Sequence, residues 1–281
     1  MLEFCELRVD EEFANLLFGS DEGKRLSDSV RKVTINTNDT RYKEIGLLQT
    51  SLRQTTGKPF FYGWCFLRKY TKNELESAGL FTINSTSFFE PPGEECGTKY
   101  DETVACSQCG AGAKQLGNLY LDWRKIPKSK DISQTIADEI IVSRRFVELF
   151  QSNNLTGAEF NPVCRKPSSR ISSTDWFQLH VPCHDIEIVP PTKIGIGPFD
   201  EDLAGECRCS LGDLLGLNLL SEVSINRASY TGTDIIASNH FVGTRRGLLR
   251  PRRLLFISPR FRQILEQEKI KGFKLEIAHL I

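Results

Sequence analysis

The sequence predicts an α+β protein made of two related units of mainly antiparallel strands with short helices, joined by a zinc-ribbon-like cysteine site. Three observations lead to this prediction. Short apolar and aromatic runs alternate with short helical patterns along the chain. A segment near the middle of the chain recurs near its end without a gap. Each half also carries one pair of closely spaced cysteines.

Composition narrows the functional classes. The chain has 281 residues, of which 40% are hydrophobic and 26% charged, as in ordinary globular proteins. Lys+Arg and Asp+Glu both number 36, so no net charge favours nucleic acid or an anionic membrane. The first residues lack a basic region before an apolar run, and no apolar stretch has the length of a membrane span. We therefore expect a cytoplasmic protein with reduced thiols.

The first 57 residues are predicted to form a mostly helical N-terminal extension. Asp10 is placed to cap a first helix, and residues 43–54 carry apolar side chains at helical spacing. The intervening sequence VRKVTI indicates one short strand. A Gly-Lys-Pro break at residues 57–59 then ends the extension.

Aromatic residues mark the start of the first repeat unit, residues 58–165. The run PFFYGWCFLRKY predicts a strand, and LFTINSTSFFE predicts another after a short helix. Thr71 and Glu74 begin that helix as a capping box, in which each side chain satisfies a backbone N–H group of the first turn.

The internal repeat defines the second unit, residues 166–281. Residues 140–160 match residues 255–275, and both segments predict a strand, a Ser-capped helix, a glycine turn and a closing strand. The identical pairs are Ser143 with Ser258, Arg145 with Arg260, Phe146 with Phe261, and Gly157 with Gly272. The polar, Pro/Ser-rich segment 165–175 is predicted to link the units.

The cysteine pairs predict a structural zinc site. Cys106 and Cys109 form a C-x-x-C followed by glycine, which offers only two of four tetrahedral ligands. The looser upstream match of the repeats sets Cys109 against Cys209. If the units face each other, the second pair completes a closed Cys₄ shell, which is structural and not catalytic. The predicted ligands are Cys106, Cys109, Cys207 and Cys209, with Cys96 and His184 in reserve.

Other readings of the cysteines stay open at this point. One alternative is that the cysteines are buried free thiols, and another is a redox C-x-x-C at a helix N-terminus. A thiol-dependent enzyme would have to use such a pair, or Cys183 with His184 and Asp185. Neighbouring residues of a strand point to opposite faces, which argues against that triad. No nucleotide-binding, metalloprotease or hydrolase motif is present in the sequence.

Five arginines cluster in the sequence TRRGLLRPRR and form the predicted partner-binding loop. The planar guanidinium suits phosphate or carboxylate, so nucleic acid or an acidic protein is a candidate partner. The alternative is a solvated loop that breaks a strand edge, neutralised by the acidic segment 199–206. The arginines are Arg245, Arg246, Arg250, Arg252 and Arg253.

These features resemble one bacterial family. The sequence CSQCG, the later cysteine pair and the IIVSRRF…LTGAEF ending are similar to the double-CxxCG motif proteins, first noticed as myxobacterial paralogues. Some relatives are regarded as immunity proteins that neutralise a cognate toxin. The resemblance therefore implies a non-enzymatic zinc protein that binds and blocks a toxin. This chain departs from the family by its C-x-C at Cys207 and Cys209 and by its long N-terminal extension.

Overall fold

A computed structural model describes residues 1–165, 172–215 and 219–281, and the chain divides into two compact units. Unit 1 consists of Met1–Ser77 with Gly195–Asp202, and unit 2 consists of Ala78–Ile194 with Leu203–Ile281. Strands dominate both units and the helices are short, so the mixed α and β composition agrees with the predicted class. No helix within the described residues has both the length and the apolar character needed to cross a membrane.

Twenty strands and five α-helices are present in the described residues. The strands are β1 (Leu2–Asp10), β2 (Lys24–Arg25), β3 (Val30–Asn36), β4 (Phe61–Lys69), β5 (Leu80–Ser85), β6 (Phe88–Phe89), β7 (Lys99–Asp101), β8 (Lys114–Leu116), β9 (Tyr120–Leu121), β10 (Ile132–Thr135), β11 (Ile140–Ser143), β12 (Glu159–Arg165), β13 (Ser172–His180), β14 (Ile188–Val189), β15 (Gly195–Gly197), β16 (Asp200–Glu201), β17 (Val223–Ile225), β18 (Ile235–Val242), β19 (Arg252–Ile257) and β20 (Phe273–Leu280). The helices are α1 (Glu11–Ala14), α2 (Arg41–Thr56), α3 (Lys72–Ser77), α4 (Arg144–Ser152) and α5 (Pro259–Gln267).

Unit 1 is built on a four-stranded antiparallel sheet in the order β2-β3-β1-β4. Alternation along β1 places Cys5, Leu7 and Val9 in the core with no exposed surface. The first 57 residues thus contain three strands as well as two helices, where we expected mostly helix. Strand β4, from beyond residue 57, completes the sheet by pairing with β1.

The helix starts predicted for unit 1 are confirmed. Asp10 caps α1 by accepting a hydrogen bond from the Glu12 N–H at 3.0 Å. At α3, the Thr71 N–H donates to the Glu74 carboxylate at 2.7 Å, and the Glu74 N–H donates to Thr71 Oγ1 at 3.3 Å. These caps depend only on near neighbours in the sequence, which is why spacing alone locates them.

Unit 2 contains two six-stranded sheets in which five consecutive strands correspond, β10-β11-β13-β12-β9 in the first and β18-β19-β5-β20-β17 in the second. The first runs β6-β10-β11-β13-β12-β9, and the second runs β18-β19-β5-β20-β17-β14. Strand β13 of the first sheet is antiparallel to its neighbours β11 and β12, and β5 of the second sheet is antiparallel to β19 and β20. Beyond them, β9 runs parallel to β12, and β17 runs parallel to β20. A separate two-stranded ribbon, β7-β8, flanks the first cysteine pair in the sequence.

The strand registers of the two sheets also correspond. In the first sheet β13 pairs with β11 and β12, and in the second sheet β5 pairs with β19 and β20. The equivalents of β11 and β12 lie 115 residues later, as from Ser143 to Ser258. The equivalent of β13 lies 96 residues earlier, as from Phe177 to Phe81. The corresponding pairs are Val142↔Phe177 with Ile257↔Phe81, Glu159↔His180 with Lys274↔Asn84, and Cys164↔Tyr120 with His279↔Ser224.

The central strands come from opposite halves of the chain. Strand β5 precedes the first cysteine pair but lies in the second sheet, and β13 precedes the second pair but lies in the first sheet. A domain boundary between residues 165 and 166 therefore separates β12 from its direct partner β13. Within the predicted linker, residues 166–171 lie outside the described residues, and the residues from Ser172 onward are already part of β13.

Both repeat helices begin with the predicted serine cap. The Oγ of Ser143 accepts the Phe146 N–H at 3.2 Å and donates to Asp131 at 3.0 Å. In the second copy, Ser258 accepts the Phe261 N–H at 3.1 Å and donates to Asp234 at 2.9 Å. Each serine therefore carries out two tasks, since it satisfies the first turn of its helix and fixes a buried carboxylate.

The same two aspartates reciprocally connect the two halves of unit 2, the one that contains α4 and the one that contains α5. The second oxygen of Asp131 accepts the Lys271 N–H at 2.9 Å, and that of Asp234 accepts the Thr156 N–H at 3.0 Å. Lys271 and Thr156 lie in the loops that follow α5 and α4, respectively. Each carboxylate thus joins the helix start of one half to the loop behind the helix of the other half.

Aromatic side chains of both helices meet in the core of unit 2. The Phe261 ring of α5 lies 5.9 Å from the Phe146 ring and 5.4 Å from the Phe150 ring, both of α4, in edge-on arrangements. All three side chains are buried. Edge-on contacts between buried rings add to the hydrophobic stabilisation that the buried area already provides.

Candidate metal centre

Three cysteine sulfurs from two distant loops converge in unit 2. The Sγ atoms of Cys106, Cys109 and Cys209 all lie within 4.8 Å of one another, and we call this group the three-cysteine cluster. Cys109 and Cys209 are buried, whereas Cys106 is half-buried. Ala111, Leu215 and Phe241 pack around the sulfurs. The predicted approach of the two cysteine pairs is therefore found for three of the four cysteines.

The first loop is folded tightly by its own backbone. The Cys106 N–H donates to the Ala111 carbonyl and the Gly110 N–H donates to the Cys106 carbonyl, both at 2.8 Å. Gly110 has a φ of +75°, and a Cβ there would lie 2.5 Å from Arg245 Cβ. Only glycine satisfies both conditions, which gives the glycine after the C-x-x-C a structural reason.

The second loop has a similar turn. The Cys209 N–H donates to the Asp213 carbonyl and the Gly212 N–H donates to the Cys209 carbonyl, both at 2.9 Å. The loops also contact each other directly, because the Ser210 N–H donates to Gln108 Oε1 at 3.0 Å. The cluster is thus held together by backbone geometry as well as by the positions of the sulfurs.

Burial and hydrogen bonding act in opposite directions on the thiols. Backbone N–H groups of Cys109 and Gln108 lower the pKa of Cys106, whereas burial raises the pKa of Cys109 to about 12. A buried thiolate is costly without a counter-charge. A divalent cation among the sulfurs would supply that charge and deprotonate the coordinating thiols.

Asp213 is a fourth group beside the cluster that the sequence analysis missed. Its Oδ2 lies 3.7 Å from the Sγ atoms of both Cys109 and Cys209. Its Oδ1 accepts the Phe241 N–H at 2.8 Å and lies 3.8 Å from Nδ1 of His240. The side chain is buried. The position of the aspartate four residues after the C-x-C was the only available signal.

The remaining predicted ligands lie outside the three-cysteine cluster. Cys207 and Cys96 are buried but do not belong to the group of sulfurs within 4.8 Å. The His184 ring faces the Pro182 carbonyl, with its Nδ1 at 2.9 Å, and Cys183 donates to Asp185 at 3.2 Å. Cys183 and His184 thus have separate partners, which does not favour a catalytic pair. The ligand role of Cys207 stays a prediction.

Arginines of the predicted partner-binding loop mostly contact unit 2 itself. The Arg250 side chain is 7% exposed, pairs with Glu94 at 2.9 Å and Glu102 at 2.7 Å, and lies 3.8 Å above the Tyr100 ring. Arg245 pairs with the same two glutamates. Glu94 and Glu102 thus neutralise charge on both arginines.

The other three arginines differ in exposure. Arg253 donates to the Ser238 carbonyl at 2.7 Å and covers the Phe241 ring, and Arg252 donates to Asn84 at 3.3 Å. Arg246 is exposed. Four of the five side chains therefore have intramolecular partners, so the loop is held on the body of unit 2. Its role in binding a partner stays a prediction.

The donor set of the cluster fits a borderline-soft divalent metal. In a tetrahedral site with Zn–S bonds of about 2.3 Å, neighbouring sulfurs are about 3.8 Å apart. The three sulfurs already lie within 4.8 Å, so small shifts bring them to that spacing. Three thiolates can therefore hold a metal ion here.

Comparisons with known proteins do not identify the chain by similarity. No family model matches it, and no curated protein does.

Proposed function

We propose that the three-cysteine cluster binds a structural Zn²⁺ that fastens the two cysteine loops of unit 2 together. The observation that carries this proposal is the convergence of Cys106, Cys109 and Cys209 within 4.8 Å, from loops about 100 residues apart in the sequence. Thiolates favour Zn²⁺, and a zinc site that is preformed only in the folded chain contributes its binding energy to folding. Metal analysis of the purified protein tests this proposal.

We further propose that unit 2 consists of two related copies of one element order. Each copy has a leading strand, a cysteine loop, three strands, a capped helix and a closing strand, and the leading strands β5 and β13 are exchanged between copies. Support comes from the matching order of five strands in each sheet, the corresponding registers and the reciprocal contacts of Asp131 and Asp234. A chance likeness of sequence would not be expected to preserve all three.

The exchange of strands predicts that the halves stay together after the chain is cut. A protease site inserted within residues 166–171 places the cut between β12 and β13 in the sequence. We expect the two fragments to co-elute in gel filtration and to separate only in denaturant, because each sheet of unit 2 contains a strand from either fragment. Fragments that separate in native buffer would contradict the exchange.

For the biological role, we propose a non-enzymatic, cytoplasmic interaction protein, most concretely an immunity-type protein that binds and sterically blocks a toxin. This role rests on the resemblance of the cysteine and repeat motifs to the double-CxxCG proteins. The separate partners of Cys183 and His184 add weight against the thiol-enzyme alternative. The intramolecular pairs of Arg245 and Arg250 reduce the charge available to a nucleic acid.

Co-expression with any toxin encoded by a neighbouring gene tests this role. We expect the wild-type protein to protect cells. Cys106→Ser should lose much of that protection, because the metal ion would no longer hold the two cysteine loops together. Cys183→Ser is the matched control and should protect fully. Loss of protection in Cys183→Ser would favour the thiol enzyme. The toxin-binding role would be refuted if the wild-type protein neither protected the cells nor bound the toxin.

A further inference from the structure

We infer that Asp213 supplies the fourth ligand of the metal site in place of Cys207, so that the donor set is three thiolates and one carboxylate. This inference rests on the proposed zinc site and concerns which residues complete it. The position of the Asp213 side chain beside two of the three sulfurs, with one oxygen anchored and the other facing them, carries the argument.

The distances fit one face of a coordination tetrahedron. With a Zn–S bond of about 2.3 Å and a Zn–O bond of about 2.1 Å, tetrahedral geometry places sulfur and oxygen about 3.6 Å apart. Asp213 Oδ2 lies 3.7 Å from Sγ of both Cys109 and Cys209. Asp213 is not part of the 4.8 Å group that includes Cys106. Closure of the site therefore needs an approach of Cys106, the half-buried member, towards the carboxylate.

Asp213 is also oriented as a metal ligand would be. Its Oδ1 is fixed by the Phe241 N–H, which leaves Oδ2 to face the sulfurs. Outer hydrogen bonds of this kind hold first-shell ligands in place. The turn of the second loop fixes the backbone as well, since the Asp213 carbonyl accepts the Cys209 N–H.

The charges near the site favour a cation between these groups. Asp213 is buried beside two buried thiols. Among the described residues, the basic side chains near the carboxylate are His240, 3.8 Å away, and the more distant Arg253, whose guanidinium already donates to the Ser238 carbonyl. A metal ion among the sulfurs would compensate the carboxylate and the thiolates at once.

Cys207 contributes its backbone carbonyl to the second loop. Its carbonyl accepts the Leu215 N–H at 2.7 Å, so its backbone closes the second loop. Its sulfur lies outside the three-cysteine cluster. Asp213 also lies outside that group, but its Oδ2 is 3.7 Å from two of the three sulfurs.

Cobalt substitution of the full-length protein tests the inference, because the absorbance of thiolate-to-Co²⁺ charge transfer grows with the number of bound thiolates. We expect Cys207→Ser to bind one Co²⁺ with unchanged absorbance and affinity. Asp213→Asn should weaken Co²⁺ and Zn²⁺ binding by more than about 10-fold. Asp213→Cys should raise the charge-transfer absorbance by about a third, since a fourth thiolate would then bind the metal.

Three results would overturn the inference. One is a Cys207→Ser variant that loses part of the charge-transfer absorbance. Another is an Asp213→Asn variant with wild-type affinity. The third is an Asp213→Cys variant that binds Co²⁺ without added absorbance, which would make Asp213 a positioning residue. In each case a wild-type protein that binds one metal ion leaves the zinc site itself standing, whereas a wild-type protein that binds none would refute both.

Discussion

Gly157→Ala and Gly272→Ala are each expected to lower the free energy of unfolding of unit 2 by about 3–5 kcal/mol. Both glycines have positive φ, +100° and +104°. A Cβ at Gly157 would lie 1.9 Å from the Ile235 carbonyl oxygen, and one at Gly272 would lie 2.0 Å from that of Ile132. Because the obstacle is backbone of the other half, relief requires the two halves to move apart.

Gly232→Ala is the matched control for this prediction. Gly232 also has a positive φ, +84°, but a Cβ there would meet no atom within 4 Å. We expect a loss of only about 1 kcal/mol from the backbone conformation. Urea titrations followed by circular dichroism measure all three variants. Equal losses at Gly157 and Gly232 would mean that the close approach of the halves does not contribute.

Phe261→Ala is expected to cost about 3–5 kcal/mol of stability. The Phe261 side chain has no exposed surface and contacts the rings of Phe146 and Phe150 across the two halves. Truncation removes that buried area and leaves a cavity between α4 and α5.

Phe88→Ala serves as the control, because that side chain is 59% exposed in a short edge strand. Its loss should stay below about 1 kcal/mol in the same urea titration. If Phe261→Ala were as mild as Phe88→Ala, the aromatic contacts would not be part of a shared core. The result bears directly on the proposal that unit 2 is one fold assembled from two copies.

Local signals in the sequence predicted the local structure well. The caps at Asp10, Thr71, Ser143 and Ser258 were all found, because a cap joins a side chain to a backbone N–H group only two or three residues further on. The repeat placed α4 and α5 for the same reason. Strand pairing is a non-local property, so the exchange of β5 and β13 left no comparable trace in the sequence.

The N-terminal sheet illustrates a second limit. In β1, the buried Cys5, Leu7 and Val9 alternate with exposed and half-exposed residues, as in a strand, but the helical patterns after Asp10 and at residues 43–54 dominated the interpretation of the first 57 residues. The extension was therefore expected to be mostly helical, and its strands pair with β4 from beyond the expected boundary.

The candidate site was predicted in part. The C-x-x-C-G spacing identified Cys106 and Cys109, and the repeat brought in Cys209. Spacing alone gave equal standing to Cys207, since it does not show which way a side chain points. Asp213 lies four residues from Cys209, and only the turn at Gly212 brings its carboxylate to the sulfurs.

Metal content of the purified full-length protein tests the central claim most directly. We expect one zinc ion per chain under reducing, chelator-free conditions, and much less in Cys106→Ser and in Cys209→Ser, because each loop contributes to the same site. A wild-type protein without zinc would contradict the metal clip. A Cys209→Ser variant with full zinc, beside a Cys106→Ser variant with none, would show that the second loop takes no part in it.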